Sequence, residues 1–481
     1  MPKKTHRGDV LWLLVLTLAA VLLHGYHLGT EDQAIYLPAI QRLLDPAFCP
    51  HYAEFFLQQP QFTLFPALMA ATSRTLHAPL DAVMFAWWLL TIFLLLLGAL
   101  QISRRCFSDP AAQWAGVATI VALLSLPVTN TGVQILEQYL HPRGMATAAL
   151  LFALTTALDR RPRALAWLAL AAAIHPTMAF FGAVHIFFLT WTAPQRHLPT
   201  LPALLLAPQL SNPAWKEALY SRRFLWPLQW HWHEWLGVIG PLALLGWFSR
   251  LGKRNANVQL AHVSARLLLS GSFGVATAIV ITSAPGLERF AVFEPMRVLH
   301  LLYFLFFLLA GGLAGQYWLR NRPVRWALLF VPLCGVMLYA SHRQFPASPQ
   351  IEWPGSVARN DWVEAFDWVR QNTPRDALFA LDPVYMDRPG EDQHAFSALA
   401  ERSMLADYTK GRGVAAQFPE LAYEWRAQVH DRDNWSKFQP EDFRRLKRKY
   451  GVTWVVLERP GVPGISDCPF SNDRVMVCRI E

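Results

Sequence analysis

The sequence predicts a polytopic all-α membrane domain followed by a small soluble α/β domain. Three observations carry that prediction. The chain is 53% hydrophobic and only 16% charged, where soluble domains run near 25% charged. Its apolar runs approach the roughly 20 residues that a helix needs to cross a bilayer. Near Ser341 the composition changes abruptly to that of a water-soluble fold. At 481 residues a soluble chain would hold about three domains, which the long apolar runs exclude.

The net charge of +9 invites a nucleic-acid partner until the chain is split. Residues 1–340 hold 24 basic and 13 acidic side chains, whereas 341–481 hold 19 and 21. The excess therefore belongs to the apolar part, in short loops where cytoplasmic anchors sit, and a nucleic-acid partner is not expected. The cysteines Cys49, Cys106, Cys334, Cys468 and Cys478 have no metal-ligand spacing. Cys468 and Cys478 either close a short hairpin on an oxidising side or remain thiols; spacing leaves both open.

The first element is the apolar run from Val10 to Leu23, behind the basic start MPKKTHRGD. The following HGYHLGTED lacks a small-residue cleavage site, so the run reads as an uncleaved span with its basic end in the cytoplasm. Glu31 and Asp32 then emerge on the outer face. Residues 31–77 are too polar for a span and too aromatic for a disordered loop, which predicts amphipathic helices at the interface.

Further apolar blocks lie near 81–101, 111–129, 144–158, 164–192, 198–209, 236–248, 265–283, 298–318 and 326–340. The block 164–192 exceeds one crossing, and His175-Pro176 interrupts it where proline breaks the helical ladder. Two short helices or a re-entrant pair fit it, with one long kinked helix as the alternative. Counting the break gives about eleven spans. Clusters at Arg104 and Arg105, at Arg160, Arg161 and Arg163, at Arg250, Lys253 and Arg254, and at Arg320, Arg322 and Arg325 are then all expected in the cytoplasm, with the C-terminal domain outside.

In the tail, Asp361 to Arg370 is spaced for a helix, ALFALDP for a short strand, EDFRRLKRKYG for a basic helix stopped by Gly451, and VTWVVLE for a buried strand. No dinucleotide fingerprint or phosphate-binding loop accompanies them.

Several polar groups stand out against these runs. Glu31 and Asp32, with Gln33, form an acidic cluster able to take a proton from a hydroxyl or to help hold a divalent cation; an ordinary exposed loop is the competing reading. Glu137, His141 and Arg143 form a second cluster suited to acid–base work and to gripping phosphate oxygens, or to anchoring a helix start. His175 is either a hydrogen-bonded histidine at a helix break or a cavity histidine near substrate. Trp230, His231, Trp232, His233 and Glu234 read as an aromatic belt at the interface, or as a surface stacking on sugar or isoprenoid; the histidine spacing matches no zinc signature. Arg289 and Arg297, in a loop expected outside, contact phosphate or pair with Glu288 and Glu294.

An acidic pair after the first span, an amphipathic first loop and a soluble C-terminal domain together resemble the GT-C superfamily of membrane-embedded glycosyltransferases that use polyprenyl-phosphate-linked sugars. The tail stretches from Trp368 to Phe379 and from Tyr450 to Val456 resemble those of uncharacterised bacterial members. The pair here reads Glu-Asp where the family more often has Asp-Glu. The resemblance implies a bacterial inner-membrane enzyme in which an acceptor hydroxyl attacks the anomeric carbon. Asp32 would be the base, Glu31 and Glu137 the supporting acids, and His141, Arg143, His175, Arg289 and Arg297 the phosphate contacts, with Trp230 and Trp232 against sugar or lipid. Its partners would be a polyprenyl-phosphate sugar, membrane lipids and a glycan, lipid or protein acceptor. A transporter or lipid-handling protein, and a noncatalytic envelope protein whose tail binds a partner, are the other classes that these features admit.

Overall fold

A computed structural model describes residues 7–191, 212–356 and 360–481. The predicted span at 198–209 lies outside these residues. In chain order the helices begin with α1 (Arg7–His24), α2 (Gln33–Leu44), α3 (Glu54–Leu57), α4 (Phe65–Leu76), α5 (Leu80–Cys106), α6 (Pro110–Ala122) and α7 (Pro142–Leu158). They continue with α8 (Arg163–Ile174), α9 (Pro176–Thr190), α10 (Pro213–Tyr220), α11 (Trp232–Arg254), α12 (Val258–Ser283), α13 (Val298–Ala314) and α14 (Pro323–Gln344). The remainder is α15 (Asp361–Asn372), β1 (Leu378–Ala380), α16 (Phe396–Ala400), β2 (Ser403–Met404), α17 (Gly411–Gln417), α18 (Ala422–His430), α19 (Pro440–Tyr450), β3 (Trp454–Glu458), β4 (Phe470–Ser471) and β5 (Val475–Arg479).

Among the described residues, six helical runs are long and apolar enough to cross a membrane: α1, α5, α11, α12, Glu288–Leu319 and α14. The chain is thus a multispanning helical protein with a smaller helix-and-strand region, but six is fewer than the expected eleven. Helices α6, α7, α8 and α9 form where the apolar runs place them, with only 13, 17, 12 and 15 residues. At 1.5 Å per residue α8 and α9 reach about 18 and 22 Å, short of the roughly 30 Å hydrocarbon core. The break at His175-Pro176 is realised: α8 ends at Ile174, α9 starts at Pro176, and the two pack on each other and on α7.

The chain forms two compact units. The first comprises 1–25, 87–211 and 222–341; the second comprises 26–86, 212–221 and 342–481. The sequence places the boundary at 340, and the structure keeps a boundary there. It also assigns the first loop and α10 to the second unit, because the apolar faces of those helices are covered by the tail's own side chains.

In the first unit α11 packs on α12 and α6 on α13. Small residues allow the α6–α13 approach: a Cβ at Gly311 would meet the Ala115 carbonyl at 2.8 Å, and one at Gly116 the Leu308 carbonyl at 2.8 Å. Leu11, Leu18 and Leu22 on α1 and Val331 and Val336 on α14 stay exposed, a surface suited to lipid rather than water. One end of the unit is tied by Arg104–Asp9 at 2.7 Å, Arg105–Asp159 at 2.7 Å, and Asn257 Nδ2 donating to the Cys106 carbonyl at 2.7 Å. These bonds bring the start of α1, the ends of α5 and α7 and the α11–α12 turn together. The basic clusters around Arg104, Arg160 and Lys253 therefore share one end.

In the second unit the strands run in the order β2-β1-β3-β5-β4. β1 is parallel to β2 and β3, and β5 is antiparallel to β3 and β4. The predicted helices and strands of the tail all form, and Gly451 ends α19 in the left-handed region at φ 80°, where glycine has no Cβ penalty. Cys468 and Cys478 are joined as a disulfide.

The first loop is built into this unit by backbone pairing: Glu31 N–H donates to the Gln393 carbonyl at 3.2 Å, and Ala395 N–H to Gly29 at 2.8 Å. Glu352 reinforces it from within. Its Oε1 lies 3.0 Å from His394 Nε2 and 3.4 Å from His27 Nδ1, and its Oε2 accepts Leu28 N–H at 3.0 Å. Burial opposes the carboxylate charge, yet His394 and His27 hold Glu352 well below the usual carboxyl range. Burial likewise opposes the His394 charge, and Glu352 outweighs it, with Asp392 and Glu391 adding to the upward shift. Helices α2 and α4 pack on each other, and α2 on α16. The expectation of interfacial helices over 31–77 is thus corrected in one respect: helices form there, but the buried face of α2, including Ile35, Leu37 and Ile40, meets protein.

Candidate functional site

The acidic pair of the second unit owes its position to the turn at 29–33. Gln33 Oε1 accepts Gly29 N–H at 2.6 Å, and Glu31 takes φ 52°, in the left-handed region. Asp32 occupies the N-cap position of α2 but makes no side-chain capping bond. Its carboxylate instead meets Lys410 Nζ at 3.1 Å, and Glu31 also pairs with that ammonium. The Glu31 and Asp32 side chains remain 29% and 30% exposed, while Lys410 is 13% exposed. Water or a hydroxyl can therefore reach carboxylates whose counter-charge is nearly buried. Burial disfavours the Lys410 charge, but Asp32 and Glu31 outweigh it and hold the ammonium above the ordinary lysine range. Lys410 stays charged at any physiological pH.

The polar cluster of the first unit surrounds the start of α7. Arg143 Nη1 lies 3.0 Å from Glu137 Oε1, and its Nη2 is 3.2 Å from His141 Nε2. His141 caps α7 by accepting Arg143 N–H at 2.9 Å. Glu137, His141 and Arg143 are all buried, so the three residues predicted to act together do stand together. His175 joins them with its ring 6.0 Å from that of His141, and it also caps α9 by accepting Met178 N–H. Arg297 lies within electrostatic reach of the buried His175 and His300 rings.

Arg297 in turn pairs with Glu294, which also binds Arg222 Nη2 at 2.7 Å. Sequence reasoning misses Arg222 as a site residue; the adjacent Arg222-Arg223 pair is the signal that could have found it. Lys410 had no such signal; it lies in an ordinary turn, DYTKGRG.

Other predicted residues are placed elsewhere. Arg289 stacks over Phe290 at 4.7 Å. Trp230 is buried and donates its indole N–H to the Phe224 carbonyl at 3.2 Å, so its ring is committed to packing. Trp232 is 76% exposed and remains available to lipid or sugar. Glu234 pairs with Arg223 at 2.8 Å and accepts the His231 backbone N–H, which occupies it as a helix cap. Among the described residues no group of three or more His, Cys, Asp or Glu side chains is arranged to hold a metal ion.

Chemically, the two clusters offer complementary capacities. The first provides guanidinium groups in an apolar setting, suited to an anion. The second provides accessible carboxylates, suited to accepting a proton or hydrogen-bonding hydroxyls. No curated protein matches the chain. Residues 360–431, which contain His394, Asp407 and Lys410, match a family model described as a domain of unknown function (DUF6798).

Proposed function

We propose that the chain is a membrane glycosyltransferase of the GT-C type, with about eleven spans. It moves a sugar from a polyprenyl-phosphate donor to an acceptor hydroxyl at the outer face of a bacterial inner membrane. The observation that carries this reading is the Glu31–Asp32 pair directly after the first span, solvent-accessible and paired with the Lys410 ammonium. The gathering of basic clusters at one end of the first unit supports a cytoplasmic N-terminus.

In this mechanism Asp32 takes the proton of the acceptor hydroxyl while its oxygen bonds to the anomeric carbon. The bond from that carbon to the phosphate oxygen breaks, and its electrons leave with the phosphate. Within the first unit, Arg143 and Arg297 offer guanidinium groups suited to an anion, with Arg289 as a further basic group. Glu137 orients Arg143 and His141 caps its helix, so Glu137 is a positioning residue rather than a second acid. Trp232 offers an exposed ring to the donor.

The test is transfer from radiolabelled polyprenyl-phosphate sugars by the purified protein in lipid nanodiscs. Transfer that falls with Asp32→Asn supports the assignment; unchanged transfer removes Asp32 as base. The buried charges of Glu137 and Arg143 inside an apolar unit also suit a transporter. Substrate flux into vesicles without covalent change would favour that second reading.

A further inference from the structure

The second unit contains a cleft that this mechanism leaves unused, about 550 Å³ of empty space with the part open to solvent included. Tyr52 and Phe55 come to it from the first loop; Phe396, Ser397, Asp407 and Lys410 come from the tail. Tyr52 sits at φ 54°, a left-handed backbone that a bulky residue seldom adopts and that clusters at ligand sites. The Lys410 that lines this cleft is the one that holds Glu31 and Asp32.

The lining selects among ligands. An acyl chain would give the Ser397 hydroxyl no hydrogen bond in exchange for the water it loses, and nothing to the Asp407 carboxylate, whose Oδ1 accepts the Lys410 and Gly411 backbone N–H groups. An anion would meet the Asp407 carboxylate and a lysine already engaged by two others. A neutral polyhydroxylated ring satisfies both kinds of wall, with its C–H face on flat aromatic rings and its hydroxyls on serine and carboxylate.

We infer that this cleft binds a neutral sugar ring, stacked on Phe55 and Tyr52 and hydrogen-bonded through Ser397 and Asp407. Its identification as the acceptor glycan rests on the transferase reading; sugar binding itself does not. A glycan seated there lies against Lys410 and is carried to the carboxylates that Lys410 holds.

The experiment is saturation-transfer NMR on the full-length protein in nanodiscs with methyl glycosides of glucose, galactose, mannose and N-acetylglucosamine. At least one should give a saturable signal. Phe55→Ala should weaken it about tenfold, the value of a lost aromatic stack. Phe55→Trp should restore it, and Phe62→Ala, which removes a first-loop ring outside the cleft, should leave it unchanged. Ser397→Ala supplies a second reading if Phe55→Ala lowers the melting temperature, and should also weaken binding.

No signal from any of the four glycosides overturns the inference. So does a signal that survives both Phe55→Ala and Ser397→Ala. Sugar binding by a protein that transfers nothing keeps the cleft and sinks the transferase reading. Transfer at wild-type KM in both variants removes the acceptor from this cleft and keeps the transferase.

Discussion

The two charged clusters differ in the sign of their surplus. In the first unit Arg143, Arg222 and Arg297 meet the carboxylates of Glu137 and Glu294; in the second, Glu31 and Asp32 share the Lys410 ammonium. The difference teaches what each can do. Guanidinium groups gathered among apolar helices suit an anion. Carboxylates open to water offer a capacity for protons and hydroxyls.

The comparison breaks most visibly at Asp32. Asp32→Asn is expected to reduce sugar transfer by about 10²- to 10⁴-fold, the usual range for a general base, with a lowered melting temperature because the nearly buried Lys410 ammonium loses one of its carboxylates. A smaller loss would move proton transfer away from the acidic cluster. Next, Arg143→Met should destabilise the first unit by about 3–5 kcal/mol because Glu137 is left as a buried unpaired charge. The double variant Glu137→Gln with Arg143→Met should recover most of that in thermal melts. Equal melting of single and double variants would show that the pair is not coupled.

The buried Glu352 pair gives a pH-dependent contrast. His394 has a raised folded pKa, so its contribution is full below the unfolded value of 6.5 and is lost as pH rises through the folded value. Glu352 has a depressed folded pKa, so its contribution is full above the unfolded value of 4.5 and is lost as pH falls through the folded value. The second unit should melt highest between those unfolded values, and Glu352→Gln should flatten the profile followed by tail tryptophan fluorescence. A profile identical to wild type would remove the pair from the stability of this unit. At the small end, Arg375→Ala, which removes an exposed pair with Asp45 at 2.9 Å, should change stability by no more than about 1 kcal/mol in the same melts.

Local signals were legible in the sequence. The spacing of DWVEAFDWVR, the stop at Gly451 and the proline after His175 each act within a turn or two of helix, and each is realised. The cluster of Glu137, His141 and Arg143 was legible for the same reason, being seven residues of one chain segment. Signals that depend on a distant partner were not. An amphipathic face on α2 reads alike whether it meets lipid or protein. Lys410 reaches Asp32 across a separation of 378 residues, which no local pattern encodes. From sequence Trp230 reads as a contact surface, because aromatic density does not report which ring is turned inward.

The composition of the second unit has a consequence for biosynthesis. Its first loop leaves the ribosome early, yet the strands and helices that complete it are encoded after roughly 250 further residues. At about 5–20 residues per second that interval lasts on the order of tens of seconds. Until it ends, Glu31 and Asp32 have no Lys410, and the apolar face of α2 has no cover. The nascent loop thus spends its first moments as a client for chaperones or the membrane surface, and the last third of the message decides when its acidic pair acquires a counter-charge.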